Sequence, residues 1–147
     1  MQIGADIGGT KTLLEARAGA TRVLRRRFAN RDYASFDAVL EQFLRELHEL
    51  CLGSINAACF AVAGPIAGGS RATLTNLESW NLDSRALASR HGLGQVALIN
   101  DFAAIAEGLD SLQAHETVTL QAGNRVVLTD GFVAAGDLVV KTGVGCD

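Results

Sequence analysis

Two short stretches carry the residue types that phosphate and hydroxyl chemistry needs. The first is Asp6-Ile7-Gly8-Gly9-Thr10-Lys11-Thr12. Paired glycines let a backbone approach an anion closely and turn its amide groups toward it. Thr10 and Thr12 add hydroxyl donors, and Lys11 adds a positive charge. Hydrated magnesium takes one or two carboxylates together with phosphate oxygens, and Asp6 supplies such a carboxylate beside the turn. Read locally, the same residues also suit an ordinary hairpin whose glycines serve only the turn. The second stretch is Leu98-Ile99-Asn100-Asp101-Phe102. A carboxylate where a buried strand ends can take the proton of a hydroxyl as it attacks phosphorus, while a neighbouring amide grips another hydroxyl. The local alternative is that Asp101 merely caps a helix.

Between these stretches, Leu74-Thr75-Asn76-Leu77-Glu78-Ser79-Trp80 holds the chain's one tryptophan. Its indole suits either a core position or the wall of a sugar pocket. Arg22, Arg25, Arg26 and Arg27 cluster in one strand-like run and read as a solvated sheet edge. His48, His91 and His115 stand apart from both stretches and are assigned no chemistry.

The elements that must position these residues follow from periodicity. Residues 2 to 7, 12 to 18 and 22 to 28 are strand-like and joined by glycine-bearing turns, which predicts an antiparallel meander. Ser35 can cap a helix whose apolar residues Phe36, Val39, Leu40, Phe43, Leu44, Leu47 and Leu50 share one face. The run from Ile55 to Ala63, closed by Gly64-Pro65, suits a buried strand reached by a helical crossover. Asp83 or Ser84 starts a helix to about His91; Val96 to Ile99 forms another buried strand, and residues 102 to 109 look helical. An antiparallel meander followed by parallel crossovers predicts an α/β domain of ribonuclease H-like, actin-like ATPase type. Its mixed sheet would carry helices on both faces. Beyond residue 115 only short strand candidates remain, at 118 to 120, 126 to 128 and 132 to 140. The expected division is a domain over 1–115 and a hinge with the start of a second domain over 116–147.

Composition narrows the classes. The 147 residues are 48% hydrophobic and 20% charged, enough for a buried core. A net charge of −3 gives no support for a nucleic-acid partner. Cys51, Cys59 and Cys146 form neither a paired motif nor a zinc pattern, so reduced thiols in the cytoplasm are expected. No apolar run approaches the roughly 20 residues that cross a bilayer, so no membrane association is expected.

Taken together, the Asp6 to Thr12 stretch, Ala63-Gly64-Pro65-Ile66, Leu74-Thr75-Asn76 with Trp80, and Ile99-Asn100-Asp101-Phe102 resemble the bacterial glucokinase family in order and spacing. The glycine turn is also at home in the related ROK sugar kinases. The resemblance implies ATP and magnesium as cofactors and glucose or a similar hexose as substrate. It implies phosphate contacts from Gly8, Gly9 and Thr10, and a magnesium site organised by Asp6. Asn100 would bind a sugar hydroxyl, and Asp101 would act as the base for the hexose 6-hydroxyl. Thr142-Gly143-Val144-Gly145 resembles part of the family's second phosphate loop, with Lys141 where a glycine is expected. The family's later sugar ligands and adenosine-binding elements would fall beyond Asp147. The chain is therefore expected to be a folded N-terminal portion with no appreciable kinase activity alone. A kinase for another hexose or an N-acetylated sugar, a non-catalytic sugar-binding remnant, and a homodimer stay open.

Overall fold

A computed structural model of the chain describes residues 1–50, 53–74, 77–108, 125–127 and 133–135. Thr75, Asn76, His115, the strand candidate at 118–120 and Thr142-Gly143-Val144-Gly145 lie outside them. Met1–Ala104 forms one compact unit and Ile105–Asp147 a second.

The first unit begins with the meander. Strands β1 (Gln2–Ile7), β2 (Lys11–Ala18) and β3 (Thr21–Ala29) pair antiparallel in sequence, and β4 (Ala57–Val62) then adds parallel to β1. In β1 the odd residues Ile3, Ala5 and Ile7 are buried while Gln2, Gly4 and Asp6 are exposed, the period-two signature of a strand with one covered face. Helix α1 (Phe36–Glu49) packs into the same core through Phe36, Val39, Leu40, Phe43 and Leu47. The i, i+3, i+4 spacing puts these on one stripe, and burying each stabilises the fold by about 1.5–3 kcal/mol relative to exposure. Ser35 caps the helix as its sequence suggests, its side chain accepting from the Ala38 amide.

Between β4 and the next helix the chain builds a second, three-stranded antiparallel sheet whose first two strands periodicity did not predict: β5 (Ile66–Ala67), β6 (Arg71–Leu74) and β7 (Leu77–Asp83). Strands of two and four residues are too short to show an alternation. This sheet carries Ala72, Leu74, Trp80 and Leu82 into the core. Asp83 caps α2 (Ser84–His91) by accepting from the amides of Arg85 and Ala86, and β8 (Gln95–Asn100) completes the five-stranded sheet in the order β3-β2-β1-β4-β8. The edge position of β3 agrees with its arginine-rich outer face. Helix α3 (Asp101–Gly108) follows directly. In the second unit β9 (Arg125–Val127) pairs antiparallel with β10 (Val133–Ala135). Among the described residues, no helix is long and apolar enough to cross a membrane.

Candidate active site

The three parallel strands bring both chemical stretches to one end of the sheet. In register, Asp6 stands beside Ala61 and Ile99, and Ile7 beside Val62 and Asn100. The glycine turn leaves β1 one residue past that level, and Asp101 leaves β8 one residue past it. Two strand spacings separate them, so the backbones are about 10 Å apart. Backbone and side-chain bonds hold this rim together. The Ala63 amide donates to the Ile7 carbonyl at 3.1 Å, and Asn100 Nδ2 donates to the Gly64 carbonyl at 3.1 Å. Gly64 permits a close approach by β6, since a Cβ there would collide with the Thr73 carbonyl oxygen.

At the β1 end, Asp6, Gly8, Thr10, Lys11, Leu13 and Arg27 line a cavity of about 260 Å³. Asp6, Leu13 and Arg27 form one cross-strand row, because Asp6 pairs with Leu13 and Leu13 with Arg27. The cavity thus opposes one carboxylate to two cations. Gly8 does not adopt a positive φ, so its lack of a side chain answers to space around the turn: a Cβ would stand 3.3 Å from the Lys11 carbonyl oxygen.

Thr12 departs from its expected use as an anion donor. It is fully buried and its hydroxyl donates to Asn30 Oδ1 at 2.8 Å. Asn30 drew no attention in the sequence, yet it is 1% exposed and holds the turn from below. Its Nδ2 donates to the Gly8 carbonyl at 2.8 Å and its backbone amide to the Thr10 carbonyl at 2.9 Å. Only the pairing of β3 with β2 shows that these residues meet. Nor does anything local in the sequence set Arg27 apart from its neighbouring arginines. Within that cluster Arg25 faces Glu15 at 3.8 Å and Arg26 faces Glu46 at 2.6 Å, whereas Arg27 turns to the cavity.

At the β8 end, the capping expected of Asp101 is shared with Asn100, whose Oδ1 accepts from the Phe102 amide at 3.0 Å. Asp101 is the first residue of α3, half-buried, with its Oδ1 also 3.0 Å from that amide. Trp80 is 2% exposed and packs at a 6.5 Å centroid distance from Phe36, which makes it core rather than a pocket wall. A larger hollow of about 830 Å³ opens near the amino ends of β1, β4 and β8, away from both stretches, and its lining holds neither carboxylate nor histidine. Among the described residues no three His, Cys, Asp or Glu side chains gather as a metal cage.

The model of a family described as Glucokinase matches residues 3–145. A glucokinase from Nostoc punctiforme is 34% identical over 97% of this chain and 41% of its own length. The crystal structure of a glucokinase from an Antarctic psychrotroph superposes with a TM-score of 0.68 at 29% identity, over 83% of this chain and 38% of that one. A glucokinase from Balamuthia mandrillaris in complex with glucose shares the fold, with a TM-score of 0.60 at 24% identity over 75% of this chain and 32% of that one. The chain spans about two fifths of the length of the curated relatives it matches.

Proposed function

The chain belongs to the glucokinase family, and on that premise we propose that it supplies the phosphate-gripping and hydroxyl-activating side of a cleft for transfer of the ATP γ-phosphoryl group to the 6-hydroxyl of glucose. The supporting observation is the shared register of Ile7, Val62 and Asn100, which sets the glycine turn and Asp101 on one rim. A gap of about 10 Å leaves room for a terminal phosphate beside the turn and a sugar hydroxyl beside the carboxylate.

In this reading Gly8 and Gly9 bring the backbone against the phosphates, and Thr10 adds a hydroxyl. Asp101 takes the proton of the 6-hydroxyl as its oxygen attacks phosphorus; the bond from phosphorus to the ADP oxygen breaks, leaving sugar 6-phosphate and ADP. Phosphoryl transfer asks for positioning and charge neutralisation more than covalent chemistry. Asn100 keeps one amide hydrogen and one oxygen lone pair beyond its bonds to Gly64 and Phe102, enough to hold a neighbouring sugar hydroxyl. Exposed on the cavity side of β1, Asp6 is a fitting outer partner for hydrated magnesium. Magnesium, when bound, neutralises charge on the phosphate oxygens. The site of action is the cytoplasm.

Amide shifts in a ¹⁵N-labelled chain test the reading. MgATP should move the signals of Gly8, Gly9 and Thr10, and glucose those of Asn100 and Asp101. Shifts confined to other residues with both ligands would overturn it.

A further inference from the structure

We infer that Asn30 is a positioning residue for the phosphate turn, setting the orientation of the Gly8–Gly9 peptide and with it the turn's grip on polyphosphate. The inference rests on the proposed role of that turn and adds a residue to it.

Asn30 follows β3 as the first residue of a 3-10 turn (Asn30–Asp32), is 1% exposed, and spends both side-chain heads on one loop. Nδ2 donates to the Gly8 carbonyl and Oδ1 accepts from the Thr12 hydroxyl, each at 2.8 Å. Its backbone amide adds the bond to the Thr10 carbonyl at 2.9 Å. A trans peptide points its C=O and N–H in opposite directions. With the Gly8 carbonyl drawn inward to a buried amide, the N–H of Gly9 must face away from the interior. Without the clamp, the Gly8–Gly9 peptide is free to rotate, because glycine imposes little preference of its own. The Gly8 carbonyl only accepts, so it takes the nitrogen end of the Asn30 amide, and the Thr12 hydroxyl then donates to the oxygen that is left. Preorganised donors cost no rearrangement when charge arrives, which is how a buried asparagine affects binding without touching the ligand.

Asn30→Asp separates orientation from packing. It keeps the size and the acceptor for Thr12 but replaces the donor to Gly8 with an oxygen that repels that carbonyl. Thr12→Val provides a second, nearly isosteric variant that leaves the buried Asn30 oxygen without its donor. The probe is inorganic tripolyphosphate with magnesium, followed through the Gly9 and Thr10 amide signals in the 147-residue chain. The expected result is at least a roughly tenfold weaker apparent affinity for Asn30→Asp, a smaller loss for Thr12→Val, and a spectrum otherwise dispersed like the parent. Parent-like affinity in a folded Asn30→Asp chain overturns the positioning role alone. A parent chain whose Gly8 to Thr10 signals ignore tripolyphosphate overturns the phosphate reading of the turn itself, and the inference with it.

Discussion

Asn100 Nδ2 reaches the Gly64 carbonyl at 3.1 Å, tying the end of β8 to the loop that leaves β4. That loop is itself pressed against β6, where the Thr73 carbonyl occupies the space a Gly64 side chain would need. The rim therefore depends on a missing methyl group. Gly64→Ala should destabilise the fold by about 2 kcal/mol, the order expected when an atom is forced into a packed backbone contact. Urea unfolding measures this. An unchanged midpoint would mean the loop moves aside at no cost.

Because Asn100 and Asp101 share the Phe102 amide, a substitution at Asp101 that keeps an acceptor there can be read as chemistry. Asp101→Asn keeps an oxygen for the Phe102 amide and removes only the basic carboxylate. In a complete enzyme of this family that contains the segment, turnover should fall by roughly 10² to 10⁴. Retained turnover in a folded variant would remove Asp101 from the base role.

The acid limb of stability should report the α2 cap. The Asp83 carboxyl is held below its ordinary 3.8, first by the Ala86 amide and then by Arg71. A depressed folded value means the stabilisation is fully present above the unfolded value, and is lost as pH falls through the lower folded one. Asp83→Ala should lower the melting temperature by a few degrees at pH 7, and the gap to the parent should close as pH falls below the ordinary carboxylate value. A gap that persists once the carboxyl is protonated would assign the effect to packing instead.

The meander, α1 with its Ser35 cap, and the strands that deliver Ile7 and Asn100 were legible in the sequence because each has a period or a punctuating residue. Strands β5 and β6 were not, since Ile66–Ala67 and Arg71–Leu74 are too short to show one. The residues proposed for the site divide the same way. Gly8, Gly9 and Asp101 announce themselves by type and local company. Asn30 acts on Gly8 across 22 residues, and its burial comes from strand pairing that local pattern does not encode. Thr12 was misread for a related reason. Alternation along β2 turns it to the covered face, with Leu14 and Ala16, whereas Lys11 and Leu13 face the cavity.

The arginine run of β3 offers a contrast within one strand. Arg25 and Arg26 face Glu15 and Glu46, so their charge is locally compensated. Arg27 instead lines the cavity with Lys11, two strands from Asp6 in the same cross-strand row. A polyphosphate bound there would meet two cations, and Arg27→Gln would remove one of them. Since Arg27 is exposed, water and salt screen the attraction, and the loss should be about 1 kcal/mol, a several-fold weaker affinity at low ionic strength. Raising the salt to about 0.5 M should shrink the difference between parent and variant, because the screening length then falls to a few ångströms. Arg25→Gln is the matched control: it lowers the net charge equally but leaves the cavity untouched. Titration of magnesium tripolyphosphate against all three chains decides between local and general electrostatics. Equal weakening by both substitutions would show that the turn senses only overall charge, and would take Arg27 out of the site.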